Sequence, residues 1–438
     1  MTNLTEKVVE IDITGFSSEG QGVGRYEGMA VFVSGVIPGE KVKVKFIKIK
    51  KRFATAELLE VLVPSPDRVK PACANYEKCG GCHLQHVAYA RQLELKREMV
   101  ADSLQHIGGL DLSVEPVWGM SDPWRYRNRA QFQVFWQDGV AVIGFFAAKS
   151  HKIVTVKDCL LLPADLQEAN NVLAGLLTEL QLFNITKAIW RLNKAGEAML
   201  LLQGQANKGT LKLLAELFVK AGKEKGTQLI SLFWQKQEGA LVHIWGKEKI
   251  CEEIGGSLIA FGPLSFSQVN WQATEKLYEI IEKGAELGGT EKVFDVYCGV
   301  GSITIFLARK AAFVVGIEEM PAAVADALFN AMTNGLKNIN FLAGKAEEVL
   351  PDLRQKGELA DVIVFDPPRA GCKPAVLLAA VEMAPKKLIY ISCDQGSLAR
   401  DLRFLCDRGY AVKWVQPVDM FAQTVHVETV VLMSRKDK

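Results

Sequence analysis

The sequence predicts a multidomain protein: a small β-barrel, a central α+β unit and a C-terminal α/β domain of Rossmann-like type. Three observations predict it. From about residue 262, short apolar runs at 292–297, 313–318, 338–343, 361–366 and 387–393 alternate with helical stretches, the pattern of a parallel sheet with crossover helices. Residues 7–62 instead alternate short β-rich runs with Gly/Pro turns, the spacing of a small barrel. Between them lies a mixed helix and strand region without a repeat.

In chain order, the barrel runs are followed by Pro64 and Pro66, which mark a linker. Residues 84–107 carry Leu93, Lys96, Arg97 and Val100 at helical spacing. Strands are expected near 127–135 and 140–146, then α+β structure to about residue 255. The tail runs 412–420 and 426–434 are close enough in sequence to form an antiparallel hairpin rather than another crossover unit. The expected domains are 1–63, 64–261 and 262–438.

Composition bounds the class. At 438 residues, 49% hydrophobic and 23% charged, the chain reads as globular. Its formal charge of +2 means that any affinity for nucleic acid must come from local patches. No apolar run reaches the roughly 18 residues that span a bilayer, and the first residues lack the character of a leader. A cytoplasmic protein without membrane contact is expected, acting as a monomer. Nine cysteines then speak against a disulfide framework, because a reducing compartment keeps thiols free. Cys73, Cys79 and Cys82 cluster, and the other six are scattered.

A turn with Gly299 and Gly301 follows the strand ending at Tyr297. It lacks the third glycine of a dinucleotide fingerprint and the Lys-Ser/Thr of a phosphate loop. Glu318 ends the next strand, where a carboxylate can accept hydrogen bonds from both hydroxyls of a ribose. Asp295, the glycine turn and Glu318 in that order favour an adenosine-type ligand. Without a phosphate cradle, S-adenosylmethionine fits better than NAD. Asp366-Pro367-Pro368-Arg369 ends the fourth strand, and its prolines lock an extended turn at the sheet edge. Amine methylation wants an aromatic residue after such prolines, and Arg369 argues against it.

Cys393 stands where the fifth strand meets a helix, in the crevice of an open α/β sheet. A thiol and a base on one face of a pyrimidine suit methylation at carbon-5: the thiolate adds to carbon-6, and a base later removes the carbon-5 proton. A helix N-terminus after Cys393 is expected to favour the thiolate. Glu428, on the last strand, alternates opposite to Val427 and Thr429 and is the candidate base. Without that role it reads as a polar residue on an edge strand.

These motifs resemble one family, the bacterial RNA uracil-C5 methyltransferases, in particular the 23S rRNA (uracil-5-)-methyltransferases. The strings are Phe266-Ser-Gln268-Val-Asn, Asp295-Val-Tyr297-Cys-Gly-Val-Gly, Gly316-Ile-Glu318, Asp366-Pro-Pro-Arg, Ile391-Ser-Cys393 with Leu398-Ala-Arg-Asp-Leu, and Asp419-Met-Phe with His426-Val-Glu428. The resemblance implies a class I methyltransferase domain in which Gln268, Tyr297, Glu318 and Asp366 contact S-adenosylmethionine, Cys393 is the nucleophile and Glu428 the base. It departs from the family at Asp394-Gln395, where relatives carry Asn-Pro, and at Ala422, where proline is common.

Cys73, Cys79, Cys82 and the more distant Cys159 supply four thiols, which suit zinc or an iron–sulfur cluster. Spacing alone leaves both open, with His83 and His86 as further ligands under the zinc reading. The resemblance implies a 4Fe-4S cluster held by all four cysteines. It also implies that the barrel is a TRAM domain, an RNA-binding module of the oligonucleotide-binding barrel type, and that residues 84–122 pack on the catalytic domain. Lys41, Lys43, Lys45, Lys48, Lys50, Lys51 and Arg52 form a strip that could follow phosphates. Arg125, Arg127 and Arg129, interleaved with Trp124 and Tyr126, are expected on an RNA-binding surface rather than in a buried strand. The expected function is C5-methylation of a uridine in 23S rRNA. The alternatives are a tRNA uracil-C5 methyltransferase and a non-catalytic iron–sulfur RNA-binding protein.

Overall fold

The computed structural model describes residues 6–222, 228–236 and 239–436. Residues 1–5, the first part of the stretch read above for leader character, fall outside that range. Among the described residues, no helix is long and apolar enough to cross a membrane.

Strict alternation builds the N-terminal barrel. Strands β1 (Val8–Phe16), β2 (Gln21–Tyr26), β3 (Met29–Ser34), β4 (Lys41–Ile49) and β5 (Phe53–Val63) close in the order β1-β2-β3-β5-β4. Val42, Val44 and Phe46 point inward and are fully buried, so Lys41, Lys43 and Lys45 must point outward. There the lysines face acids. In register, Lys41 and Lys43 lie opposite Asp12 and Glu10 of β1, while Lys43 and Lys45 lie opposite Glu60 and Glu57 of β5. Lys41 pairs with Glu10 at 3.1 Å, and Lys45 pairs with Glu6. The strip expected to follow phosphates is therefore divided. Lys48, Lys50, Lys51 and Arg52, around the β4–β5 turn, make no ion pair among the described residues and are its uncompensated part.

The cysteine loop at 73–82 leads into α1 (Tyr89–His106). This helix buries Val100 and Leu104 in the core that also holds Leu398 and Leu402 of the last helix, so it packs on the C-terminal domain. Next comes a seven-stranded sheet of β6 (Arg129–Gln137), β7 (Val140–Phe146), β8 (Ile153–Thr155), β9 (Ile185–Leu192), β10 (Glu197–Gly204), β11 (Gln228–Gln235) and β12 (Leu241–Gly246). The order is β12-β11-β10-β9-β6-β7-β8, with α2 (Ala164–Glu179) and α3 (Lys208–Gly222) packed on it. A hairpin of β13 (Ile250–Ile254) and β14 (Ser257–Phe261) leads to the final domain.

That domain is an open sheet of β15 (Lys292–Val296), β16 (Phe313–Glu318), β17 (Ile339–Ala343), β18 (Val362–Phe365), β19 (Lys387–Ser392), β20 (Tyr410–Val418) and β21 (Glu428–Arg435). Its helices are α4 (Trp271–Ala285), α5 (Ser302–Ala308), α6 (Pro321–Thr333), α7 (Ala346–Gln355), α8 (Pro374–Met383) and α9 (Gln395–Cys406). The order β17-β16-β15-β18-β19-β21-β20 reverses between β15 and β18, and ligands of such sheets bind at that switch point. The tail strands do pair antiparallel, but β21 inserts between β19 and β20. Glu428 is thus on an internal strand and 3% exposed, which rules out the edge-strand reading.

Candidate active site

One cleft of about 880 Å³ lies over the switch point, and Cys393, Glu428, Gln268, Tyr297, Glu318 and Asp366 all line it. Local causes place Tyr297 and Glu318 at the turn. Tyr297 follows β15 with φ at 72°, a left-handed conformation that costs a non-glycine residue about 1–3 kcal/mol and persists only where surroundings enforce it. Here the N–H groups of Tyr297 and Cys298 both donate to the Ile317 carbonyl. Gly301 is also left-handed, and a Cβ there would meet the Phe341 ring at 2.9 Å. Glu318 ties the turn to its own strand by accepting from Gly299 N–H at 3.0 Å and Met320 N–H at 2.8 Å. A carboxylate has further lone pairs, so it can still accept from a ribose. A recess of about 50 Å³ continues from the cleft between Gln268, Tyr297, Ser302 and Asp366. Beneath the turn, burial pushes the Asp295 carboxyl up to about 7 against hydrogen bonds from Thr304, and one of its oxygens has no partner among the described residues.

The sheet register brings thiol and carboxylate together. The last registered pair of β19 and β21 is Ser392 opposite Thr429, so the next step along both strands sets Cys393 beside Glu428. Burial pushes the Cys393 thiol up to about 11, with the Glu428 and Asp366 carboxylates adding to the shift and the Arg369 guanidinium opposing it. Glu428 is likewise pushed well above the usual carboxylate range by burial and then by Asp366, again opposed by Arg369. Asp366 rises to about 7, through burial and then Asp295. The expected thiolate-favouring effect of a helix N-terminus is not what dominates here. The α9 N-terminus is already capped by Asp394, whose Oδ1 accepts from Ser397 N–H at 2.8 Å. That bond also turns Asp394 to the helix rather than to the sulfur. Gln395 donates to the Val427 carbonyl at 3.3 Å, tying the nucleophile's helix to the base's strand.

Arg125, Arg127 and Arg129 do not form the exposed surface expected of them. Arg125 donates to both oxygens of Asp158, at 2.6 and 2.8 Å, and to the Cys159 and Leu162 carbonyls. The intervening Tyr126 and Asn128 are buried, donating to the Ala422 and Gln268 carbonyls. The guanidinium of Arg125 is thus held by carboxylate and carbonyl partners, and the Nε of Arg127 donates to the Arg129 carbonyl at 3.2 Å. Arg127 alone reaches the cleft, on the wall shared with the cysteine loop.

Cys73, Cys79, Cys82 and Cys159 line a separate cavity of about 200 Å³. Burial pushes Cys82 up to about 12, and the other three thiols add to the shift. Among the described residues, no three His, Cys, Asp or Glu side chains converge closely enough to hold a single ion. The donor set of four thiols around one cavity is one that an iron–sulfur cluster takes. His83 and His86 stand apart: His83 lines the large cleft, and the Nδ1 of His86 lies 2.6 Å from the Tyr76 hydroxyl.

Comparison with known proteins gives a consistent picture. Residues 260–436 match the family described as tRNA (Uracil-5-)-methyltransferase, and residues 5–59 match the TRAM domain. A Clostridium tetani protein named "Uncharacterized RNA methyltransferase" is 39% identical over 441 residues, spanning 96% of this chain and 95% of its own. A Listeria monocytogenes relative with the same description is 39% identical over 443 residues, spanning 97% of each chain. Among solved structures, the Pyrococcus abyssi tRNA (uracil-54, C5)-methyltransferase in complex with S-adenosyl-L-homocysteine superimposes with a TM-score of 0.77. It is 26% identical, and the match covers 97% of this chain and all of that one.

Proposed function

The chain belongs to the S-adenosylmethionine-dependent RNA uracil-5-methyltransferases, and from that premise we propose that it methylates carbon-5 of a uridine in 23S rRNA through a covalent adduct. The observation that carries the chemistry is the placement of Cys393 beside Glu428 in a cleft that Gln268, Tyr297, Glu318 and Asp366 also line. In this reading the four latter residues hold the methyl donor, with Glu318 at the ribose. S-adenosylmethionine supplies an electrophilic methyl group on a sulfonium. The Cys393 thiolate adds to carbon-6 of the uracil, making carbon-5 nucleophilic toward that methyl. The Glu428 carboxylate then takes the carbon-5 proton, the C5=C6 bond re-forms, and Cys393 leaves as thiolate.

In the free protein both groups are held toward their neutral forms. Arg369 is the cationic side chain that opposes this for both, so it is assigned the role of electrostatic support. The cysteine cavity supports a 4Fe-4S cluster on Cys73, Cys79, Cys82 and Cys159, in a structural or RNA-positioning role, since the methylation consumes no electrons.

A tRNA target is the second reading. The Pyrococcus tRNA enzyme matches over nearly the whole chain, so barrel and cysteine loop do not by themselves separate the two substrates. RNA fragments of each kind carrying 5-fluorouridine at the candidate position decide it. Fluorine cannot leave as a proton, so the cognate RNA should form an adduct that survives denaturation. No adduct with either RNA, or one that persists in Cys393→Ala, overturns the mechanism.

A further inference from the structure

Glu428 is the first residue of β21, and the connection from β20 that delivers it is gripped by parts of the chain remote from the catalytic domain. The grip centres on Gln423, which is 3% exposed and left-handed at φ 67°. Its carbonyl accepts from the N–H groups of His83 and Leu84, at 2.9 and 3.0 Å. Its side-chain oxygen accepts from Gln92 of α1 at 3.0 Å. Two residues on, Val425 packs into a core with Leu84, Val87 and Leu95 and with Ile37 of the barrel domain. The His83 N–H belongs to the peptide unit that begins at Cys82, and Cys82 lines the cysteine cavity. A single peptide therefore joins a candidate cluster ligand to the carbonyl five residues before the candidate base.

Among the described residues, Cys393 takes no hydrogen bond from the cysteine loop to its own turn. It follows β19, which is paired on both sides, and precedes a helix with its own Asp394 cap. Displacing the cysteine loop thus acts first on the connection that carries the base, and reaches the nucleophile only through the sheet, α1 and the Gln395–Val427 contact.

We propose that Gln423 is a positioning residue through which the order of the Cys82–Leu84 loop sets the placement of Glu428, so that release of the methylated RNA, and not formation of the adduct, depends on that loop. The inference rests on the roles given above to Cys393 and Glu428. The dependent step is the one in which the Glu428 carboxylate takes the carbon-5 proton. The C–H electron pair closes the C5=C6 bond, and the C6–S pair leaves with the Cys393 sulfur.

The left-handed backbone supplies a test. Gln423→Gly keeps φ above zero at no steric cost, whereas Gln423→Val places a β-branched residue where it is a true outlier. In rapid-quench single turnovers, Gln423→Val should transfer methyl at close to the parental rate but release product about a hundredfold more slowly, the scale of a 1 Å misplacement. Methylated adduct should then accumulate on denaturing gels, and Gln423→Gly should release it near the parental rate. Equal behaviour of the two variants, or a proportionate loss of both steps, overturns the proposal. Hydrogen exchange on the unaltered protein gives an independent reading. Stripping iron should strip protection from peptides holding residues 83–84 and 424–428 and leave 388–393 protected; retained protection at 424–428 also overturns it. Absence of any fluorouridine adduct in the parental protein would instead strike the mechanism itself.

Discussion

Cys393 is the residue on which the chemistry turns, and its surroundings oppose its own ionisation. Burial and then two carboxylates raise the thiol to about 11, and one guanidinium resists. A thiol raised this far is about one part in a thousand thiolate at roughly pH 8. Its alkylation by iodoacetamide should therefore climb about tenfold per pH unit from roughly pH 7 to 10, without the plateau near 8.5 of an unperturbed thiol. Arg369→Gln removes the opposing charge, so the same reagent should react more slowly at each pH. A faster reaction in that variant, or a plateau below about pH 9, would show that the local electrostatics are otherwise. The candidacy of Cys393 was legible from its place at a strand end, because α/β sheets present reactive groups there. The direction of its shift was not. Which charges face a sulfur depends on register and side-chain direction, and the Asp394 cap shows how a neighbour in sequence can be turned elsewhere in space.

At the scale of elements, the helix α1 and the connection between β20 and β21 meet through a fully buried ion pair. Lys96 donates to Asp419 at 2.5 Å and to the Phe421 carbonyl at 3.2 Å, and the Tyr89 hydroxyl donates to the second Asp419 oxygen at 2.8 Å. Desolvation lowers the pKa of Lys96 and Asp419 raises it again, the mark of a charge kept only by its partner. Asp419→Ala should cost about 3–5 kcal/mol in denaturant unfolding, because it strands a buried ammonium. Replacing both partners, as Lys96→Met with Asp419→Leu, should recover most of that loss. If the double variant is as unstable as the single one, the pair contributes by shape and not by charge balance. Sequence reading found α1 from its period but took Lys96 only as one of the helix positions, since a lysine whose partner lies 323 residues away leaves no local signal. The barrel shows the converse. Its strands were legible from alternation, yet the acids that neutralise β4 come from β1 and β5, and only pairing reveals them. The turn around Lys48–Arg52 is what remains for phosphates. Replacing Lys48, Lys50 and Lys51 by Ala should flatten the salt dependence of RNA binding by up to about two to three ions, while Lys41→Ala and Lys43→Ala should leave it nearly unchanged. Equal slopes for the two sets would place the RNA elsewhere.

On the scale of the whole molecule, the cysteine cavity lies where the cysteine loop meets the central unit. Cys73, Cys79 and Cys82 precede α1, which packs on the catalytic sheet, and Cys159 follows β8 of the central sheet. The alternation of strands and helices from residue 262 made the catalytic domain readable, because parallel sheets impose that rhythm on sequence. The central sheet was not readable in its order, since β6 pairs with β9 across an intervening helix. No periodicity records such a pairing. What holds these parts at the cavity is thus set by tertiary structure, and the Cys82 and Cys159 thiols there are raised by burial and by neighbouring thiols. Under the proposed cluster, removal of the metal takes away the tie between the loop and the central sheet. Anaerobically purified protein should accordingly carry about four irons and four sulfides per chain with broad visible absorbance, and Cys79→Ser should lose both together. Zinc in place of iron, at about one per chain and without colour, would mean that the four sulfurs close on a single ion. Chelation should also lower the unfolding midpoint, because a group that binds only the folded state stabilises it in proportion to its affinity. An unchanged midpoint would mean that the interface of α1 with the catalytic sheet, and not the cysteine cavity, holds the domains in register.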